Sequence, residues 1–94
     1  MKALVWSSGF KRSFKRSVRN KPDILPKIEQ ALKLLVGDPF HPLLHTHKLK
    51  GNLSGSWACT VDFEYRIVFE FVLDPENGEE TILLEALGTH DEVY

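Results

Sequence analysis

Between Phe10 and Val36 apolar residues recur every three or four positions, and from Trp57 onward they alternate with polar ones or run together. Phe10, Phe14 and Val18 lie four apart while Lys11, Arg12, Lys15, Arg16 and Arg19 fill the intervening faces. That spacing predicts a helix with one apolar stripe and a basic coat, and Ser7-Ser8-Gly9 offers its N-cap. Asn20-Lys21-Pro22-Asp23 ends it, because proline cannot continue a helix and disfavours α geometry in the residue before it. A second helix is predicted from Ile24 to Val36. Asp23 is its expected cap, Pro26 fits the first turn, and Leu25, Ile28, Leu32 and Leu35 form the expected buried stripe. Gly37-Asp38-Pro39 stops it.

Strands flank this helical pair. KALVW, residues 2–6, reads as a short one ahead of the first helix. Trp57 to Val61 alternates as a second, and Asp62-Phe63-Glu64 supplies a turn. Arg66 to Leu73, the most apolar run, is the expected central strand. Asp74-Pro75-Glu76-Asn77-Gly78 has hairpin-turn chemistry, and Thr81 to Leu87 is the last strand. The order β-α-α-β-β-β predicts an α+β fold, with two N-terminal helices on one face of a small, mainly antiparallel sheet. From Phe40 to Ser56 the pattern lapses into FHPLLHTHKLKGNLSGS. A connection longer than roughly 12 to 15 residues in a compact domain is usually functional or disordered. This one carries His41, His45, His47, Lys48 and Lys50, which favours function.

Ninety-four residues leave room for one core, so residues 1–94 are expected to form a single domain. No run approaches the roughly 20 apolar residues of a membrane span, and MKALVWSSGF is too brief in its apolar part for a signal peptide; a cytoplasmic location is expected. The one cysteine, Cys59, fits a reducing compartment and sits in an apolar run where a buried structural role is expected. The net charge of −1 conceals segregation: residues 1–51 carry eleven Lys/Arg against three Asp/Glu, and residues 52–94 one Arg against ten Asp/Glu. Such asymmetry points to a polyanion partner or to helices with solvated basic faces.

In a meander of the last three strands, Gly88 to Tyr94 ends at the margin that holds Asp62 to Arg66, making Glu64, Arg66 and His90 neighbours. Arg66 opens the most hydrophobic strand, so its guanidinium must pair with Glu64 or Glu85 or point at a site edge. Lys48 and Lys50 alternate in an extended loop and project to one side, where two ammonium groups can hold a polyanion. The spacing of His41, His45 and His47 meets the needs of a zinc site only loosely, and neither a metal nor a cofactor is expected. Imidazole, guanidinium and ammonium groups together suit RNA scission by its own 2′-hydroxyl. That reaction needs a base, charge stabilisation at phosphorus and an acid for the departing oxygen.

The ordered set SSGFKRSFKR, GDPFHPLL, HKLKGNLSGSW, YRIVFEF and GTHDEVY resembles the RelE/ParE superfamily of bacterial toxins. Within it, the likeness is to the RelE and YafQ-type messenger-RNA endonucleases of type II toxin-antitoxin modules. The resemblance implies a ribosome-dependent endoribonuclease held inactive by an antitoxin from an adjacent gene, the complex binding operator DNA through the antitoxin. By the same resemblance, His90 falls on the histidine of a terminal Gly-Thr-His and is the expected acid. His47 or Glu64 is the expected base, Arg66 and Lys50 the clamp on phosphorus, Lys48 a backbone anchor, and Tyr94 a stacking or orienting group. Lys11, Arg12, Lys15 and Arg16 would touch ribosomal RNA. Thr60 stands near a position where YafQ-like toxins have a further histidine, and Glu85 is what this chain offers where RelE members often have a second arginine. The alternatives are a ParE-like gyrase poison, which shares the fold without cutting RNA, and a degenerate toxin that only binds its antitoxin.

Overall fold

A computed structural model describes residues 2–94. The elements are β1 (Ala3–Trp6), α1 (Ser8–Asn20), α2 (Leu25–Gly37), β2 (His47–Lys48), β3 (Trp57–Thr60), β4 (Tyr65–Leu73), β5 (Glu80–Thr89) and a terminal helical turn, α3 (His90–Val93). One five-stranded sheet has the order β1-β5-β4-β3-β2. Three neighbouring pairs are antiparallel and β1 runs parallel to β5, so the expected α+β arrangement is present as a mixed sheet.

The helices cover one face. Phe10 from α1 and Ile28, Ala31 and Leu35 from α2 meet Ile67, Phe69, Ile82, Leu84 and Leu87 from the sheet in one buried cluster. Each large apolar side chain so buried contributes about 1.5–3 kcal/mol. The helix stripes are displaced from those the pattern implied. In α1 the buried line is Phe10, Ser13 and Ser17, with Phe14 and Val18 half-exposed beside it. In α2 it is Ile28, Ala31 and Leu35, continued backward by Ile24, while Leu25 is only half-buried.

The burial of Ser13 has a reason. β1 pairs with β5 only from Thr81 to Leu84, which leaves the rest of that edge open. α1 and its cap close it: Ser7 Oγ donates to the Glu85 carbonyl at 3.4 Å, and the Leu87 amide donates to Ser13 Oγ at 3.0 Å. A free strand edge is thus covered by hydroxyls rather than by another strand. Ser7 also caps α1 as expected, its side chain accepting from the Phe10 amide at 3.0 Å. Asp23 does not cap α2. A tight turn at Pro22–Ile24 leads directly into the helix, whose cap position is Ile24 with no side-chain acceptor.

The Phe40–Ser56 connection is more ordered than its composition implied. It contains tight turns at Pro42–Leu44 and Gly51–Leu53, with β2 between them as the outermost strand. The Asp74 turn forms as expected: the Gly78 amide donates to the Asp74 carbonyl at 2.8 Å, and Gly78 has a φ of 71° that favours glycine. β5 runs on through Gly88 and Thr89, two residues past its expected end. Between Val68 and Phe69 the β4–β5 register shifts and leaves Glu85 unpaired in a bulge. Among the described residues no helix is long and apolar enough to cross a membrane.

Candidate active site

The face of the sheet turned away from the helices holds most of the candidate residues. Tyr65, Ile67 and Phe69 of β4 point into the core, so Arg66 and Val68 point the other way. Cross-strand pairing sets Thr60, Arg66 and Gly88 in one row and His47, Ala58, Val68 and Ala86 in the next, all on this open face. Strand spacing and rise place the His47 and Arg66 Cα atoms about 12 Å apart.

Arg66 makes neither of the ion pairs considered for it. Its guanidinium donates to the backbone carbonyls of Asp62, at 2.5 Å, and Tyr65, at 3.0 Å. Carbonyls orient the group without neutralising it, so its positive charge remains available. Asp62 builds the turn that supplies those acceptors. Its Oδ1 accepts from the amides of Glu64 at 2.9 Å and Tyr65 at 2.7 Å, and its Oδ2 lies 3.5 Å from Lys21 Nζ and 3.8 Å from Lys27 Nζ. Burial pushes the Asp62 carboxyl upward, but the two amides and two lysines outweigh it and hold the group below the ordinary aspartate range. Glu64 is exposed and meets Lys21 Nζ at 3.4 Å.

The C-terminus is a folded corner. The His90 amide donates to the Glu64 carbonyl at 3.2 Å, tying α3 to the β3–β4 turn. Glu92 reaches back to accept from the Thr89 amide at 2.8 Å, and Arg16 Nε of α1 stands 3.9 Å from its other oxygen. The Tyr94 ring meets the His90 ring edge-on, with centroids 4.4 Å apart. Burial raises the Tyr94 phenol pKa while the Arg66 charge opposes the rise, so the hydroxyl stays protonated near neutrality. Arg66 pairs across the strands with Gly88, and Glu92 and Val93 of α3 stand over Gly88, so His90, Tyr94 and Arg66 share one corner; His90 Nδ1 also lies 3.6 Å from Asp91 Oδ1.

Gly88 makes the corner possible. A Cβ there would stand 2.9 Å from Glu92 Oε1, 3.0 Å from Glu92 Cβ and 3.3 Å from Val93 Cγ1. Gly88→Ala is expected to push α3 away and cost about 1–3 kcal/mol, as overpacking does elsewhere. Denaturant unfolding measures the loss, and a moved His90 imidazole resonance locates it.

Other residues are placed elsewhere. His47 is exposed on the open face, with Nδ1 3.0 Å from the His45 carbonyl. Lys48 faces the helix side, its Nζ 5.4 Å from the Trp57 ring that packs on Phe40 and Phe71. It does not join Arg66. Lys50 is exposed in extended backbone two residues on. Lys11, Arg12, Lys15 and Arg16 are exposed on α1, which the Arg16–Glu92 pair connects to the corner. His41 Nδ1 accepts from the Leu43 amide at 3.1 Å. Burial drives the Cys59 thiol up to about 12, which makes it a poor nucleophile. Glu85 occupies the open face, where its Oε1 accepts from Ser56 Oγ at 2.9 Å.

Residues 2–94 match the family described as bacterial toxin of type II toxin-antitoxin system, YafQ. The chain belongs to the YafQ toxin family. The chain is also 33% identical over 51 residues to Toxin YoeB of Synechocystis sp., a match covering 54% of this chain and 59% of that toxin's length. Escherichia coli YafQ has the same fold, with a TM-score of 0.79 at 14% identity over 100% of this chain and 99% of that one. YafQ in the E. coli DinJ-YafQ complex gives a TM-score of 0.78 at 16% identity with the same coverage.

Three residues that the sequence reading did not count among the site residues help to shape this corner: Asp62, Gly88 and Glu92. Each had a signal. Asp62 precedes two amides that an aspartate side chain can gather, and Thr89-His90-Asp91-Glu92 has the Thr-x-x-Glu spacing of a capping box.

Proposed function

We propose that this YafQ-family toxin cleaves messenger RNA on the ribosome by general acid/base catalysis, with the ribose 2′-hydroxyl as nucleophile. The convergence of His90, Tyr94 and Arg66 at one corner of an open face, with His47 across that face, carries the reading. In-line displacement puts the attacking and leaving oxygens on opposite sides of phosphorus. An acid and a base must therefore face each other across the phosphodiester rather than share one corner. Glu64 sits at the His90 corner and is engaged by Lys21, so His47 is the better base.

In this scheme His47 takes the 2′-hydroxyl proton as the 2′-oxygen attacks phosphorus. Arg66 stabilises the extra charge on the phosphorane, and protonated His90 donates to the 5′-oxygen as its bond to phosphorus breaks. The products are a 2′,3′-cyclic phosphate and a 5′-hydroxyl. Tyr94 holds the His90 ring from its edge. The exposed cations of α1 lie beside this corner and suit ribosomal RNA, while Lys50 is free to reach RNA phosphate. An antitoxin partner is part of the same proposal, supported by the family description and by the DinJ-YafQ complex.

Primer extension on total RNA after induction tests the activity. Discrete cuts within translated codons are expected. Intact messages accompanied by DNA-damage signalling would support a gyrase poison instead.

A further inference from the structure

We infer that Phe63 is a stacking platform for a nucleobase flanking the scissile phosphate, an inference that rests on the proposed RNA cleavage. Phe63 is 84% exposed, more than any other large apolar side chain among the described residues. It sits at the tip of a turn that leaves it little choice, because Asp62 Oδ1 binds the amides of both Glu64 and Tyr65. The ring is held outward on a fixed support.

Its place in the chain matters as much as its exposure. The carbonyl of the residue before it, Asp62, orients the Arg66 guanidinium, and the carbonyl of the residue after it, Glu64, receives the His90 amide. Phe63 is thus bracketed by the two backbone groups that position the phosphate-holding cation and the acid. A strand seated with its phosphate on Arg66 must project a base close to this turn. The Glu64 carboxylate beside the ring discourages phosphate from settling there and leaves the ring face to a base.

A protein partner would be expected to use a contiguous apolar surface with a desolvated centre. Phe63 is instead a lone ring among Asp62, Glu64, Lys21 and Arg66. Base stacking needs only one aromatic face and tolerates polar surroundings.

The test uses ribosomes programmed with a message of known cut position, and single-turnover cleavage by wild type, Phe63→Ala, Phe63→Leu and Phe63→Trp, each checked for folding by circular dichroism. Phe63→Ala and Phe63→Leu should lose about ten-fold or more in cleavage efficiency, and Phe63→Trp should keep it, in line with the measured worth of base–aromatic stacking. Messages carrying an abasic nucleotide on either side of the cut should lower the wild type to the Phe63→Ala rate at one of the two positions, with no further loss in Phe63→Ala itself. Full activity in Phe63→Leu, or unchanged wild-type cleavage of both abasic messages, overturns the stacking role while leaving the nuclease reading intact. A Phe63→Ala variant that cuts normally but loses its antitoxin assigns the ring to protein binding and also overturns it. A wild-type protein that cuts no message removes the nuclease reading and this inference with it.

Discussion

The double variant His90→Ala/Arg66→Ala should be folded and harmless. Loss of a positioned general acid typically lowers a rate by about 10²–10⁴-fold, and loss of a preorganised charge donor at phosphorus by a comparable factor. Induced in cells, the variant should permit growth; on programmed ribosomes its cleavage should vanish. Stability should be nearly unchanged, because His90 is exposed and its ring contacts Tyr94 and Asp91 rather than the core. Arg66 contributes only bonds to carbonyls at the sheet margin. Retained toxicity in the folded double variant contradicts the assignment.

Asp62→Ala should have the other large effect, through the turn rather than through contact with RNA. Its removal leaves the Tyr65 and Glu64 amides without their acceptor, and loosens the carbonyl that orients Arg66. A loss of about 1–3 kcal/mol in unfolding free energy is expected, together with weakened cleavage. Asp62→Asn keeps an acceptor oxygen and should recover much of both, but not the pH dependence. The Asp62 carboxyl titrates lower in the folded chain than in the unfolded one. Its contribution to stability is therefore complete above the ordinary aspartate range and fades as pH falls through the folded value. Acid titrations of unfolding should show a shallower loss for Asp62→Asn than for wild type. Parallel curves would mean that the Asp62 charge is not coupled to the turn.

The pattern of apolar residues carried the order of the main elements because strand and helix periods differ so plainly around Phe10, Ile28 and the Arg66–Leu73 run. It misplaced the α1 stripe for a physical reason. Ser13 and Ser17 are buried despite their polarity, and Ser13 is needed to close the β5 edge, a tertiary demand that no local period reports. Asp23 looked like a cap, yet Pro22 starts a tight turn that delivers the chain into α2 without one. β2 is two residues long and owes its strand form to pairing with Trp57 and Ala58 across the connection. That pairing also decides which way Lys48 points, and it points away from Arg66. Meander topology placed Glu64, Arg66 and His90 at one margin, and the His90–Glu64 backbone bond joins them there. What topology does not determine is the partner of Arg66, since backbone carbonyls have no signature in side-chain identity. The fold over Gly88 was readable only as a glycine before Thr-His; its cause is the space that Glu92 occupies.

The central claim is attack by the RNA's own 2′-hydroxyl between a histidine and an arginine. Programmed ribosomes carrying a message with a single 2′-deoxy nucleotide on the 5′ side of the cut measure it most directly. The account predicts that the all-ribose message is cut to a 2′,3′-cyclic phosphate and a 5′-hydroxyl, and that the deoxy message survives intact at that bond. Cleavage of the deoxy message at the same bond and rate would contradict it.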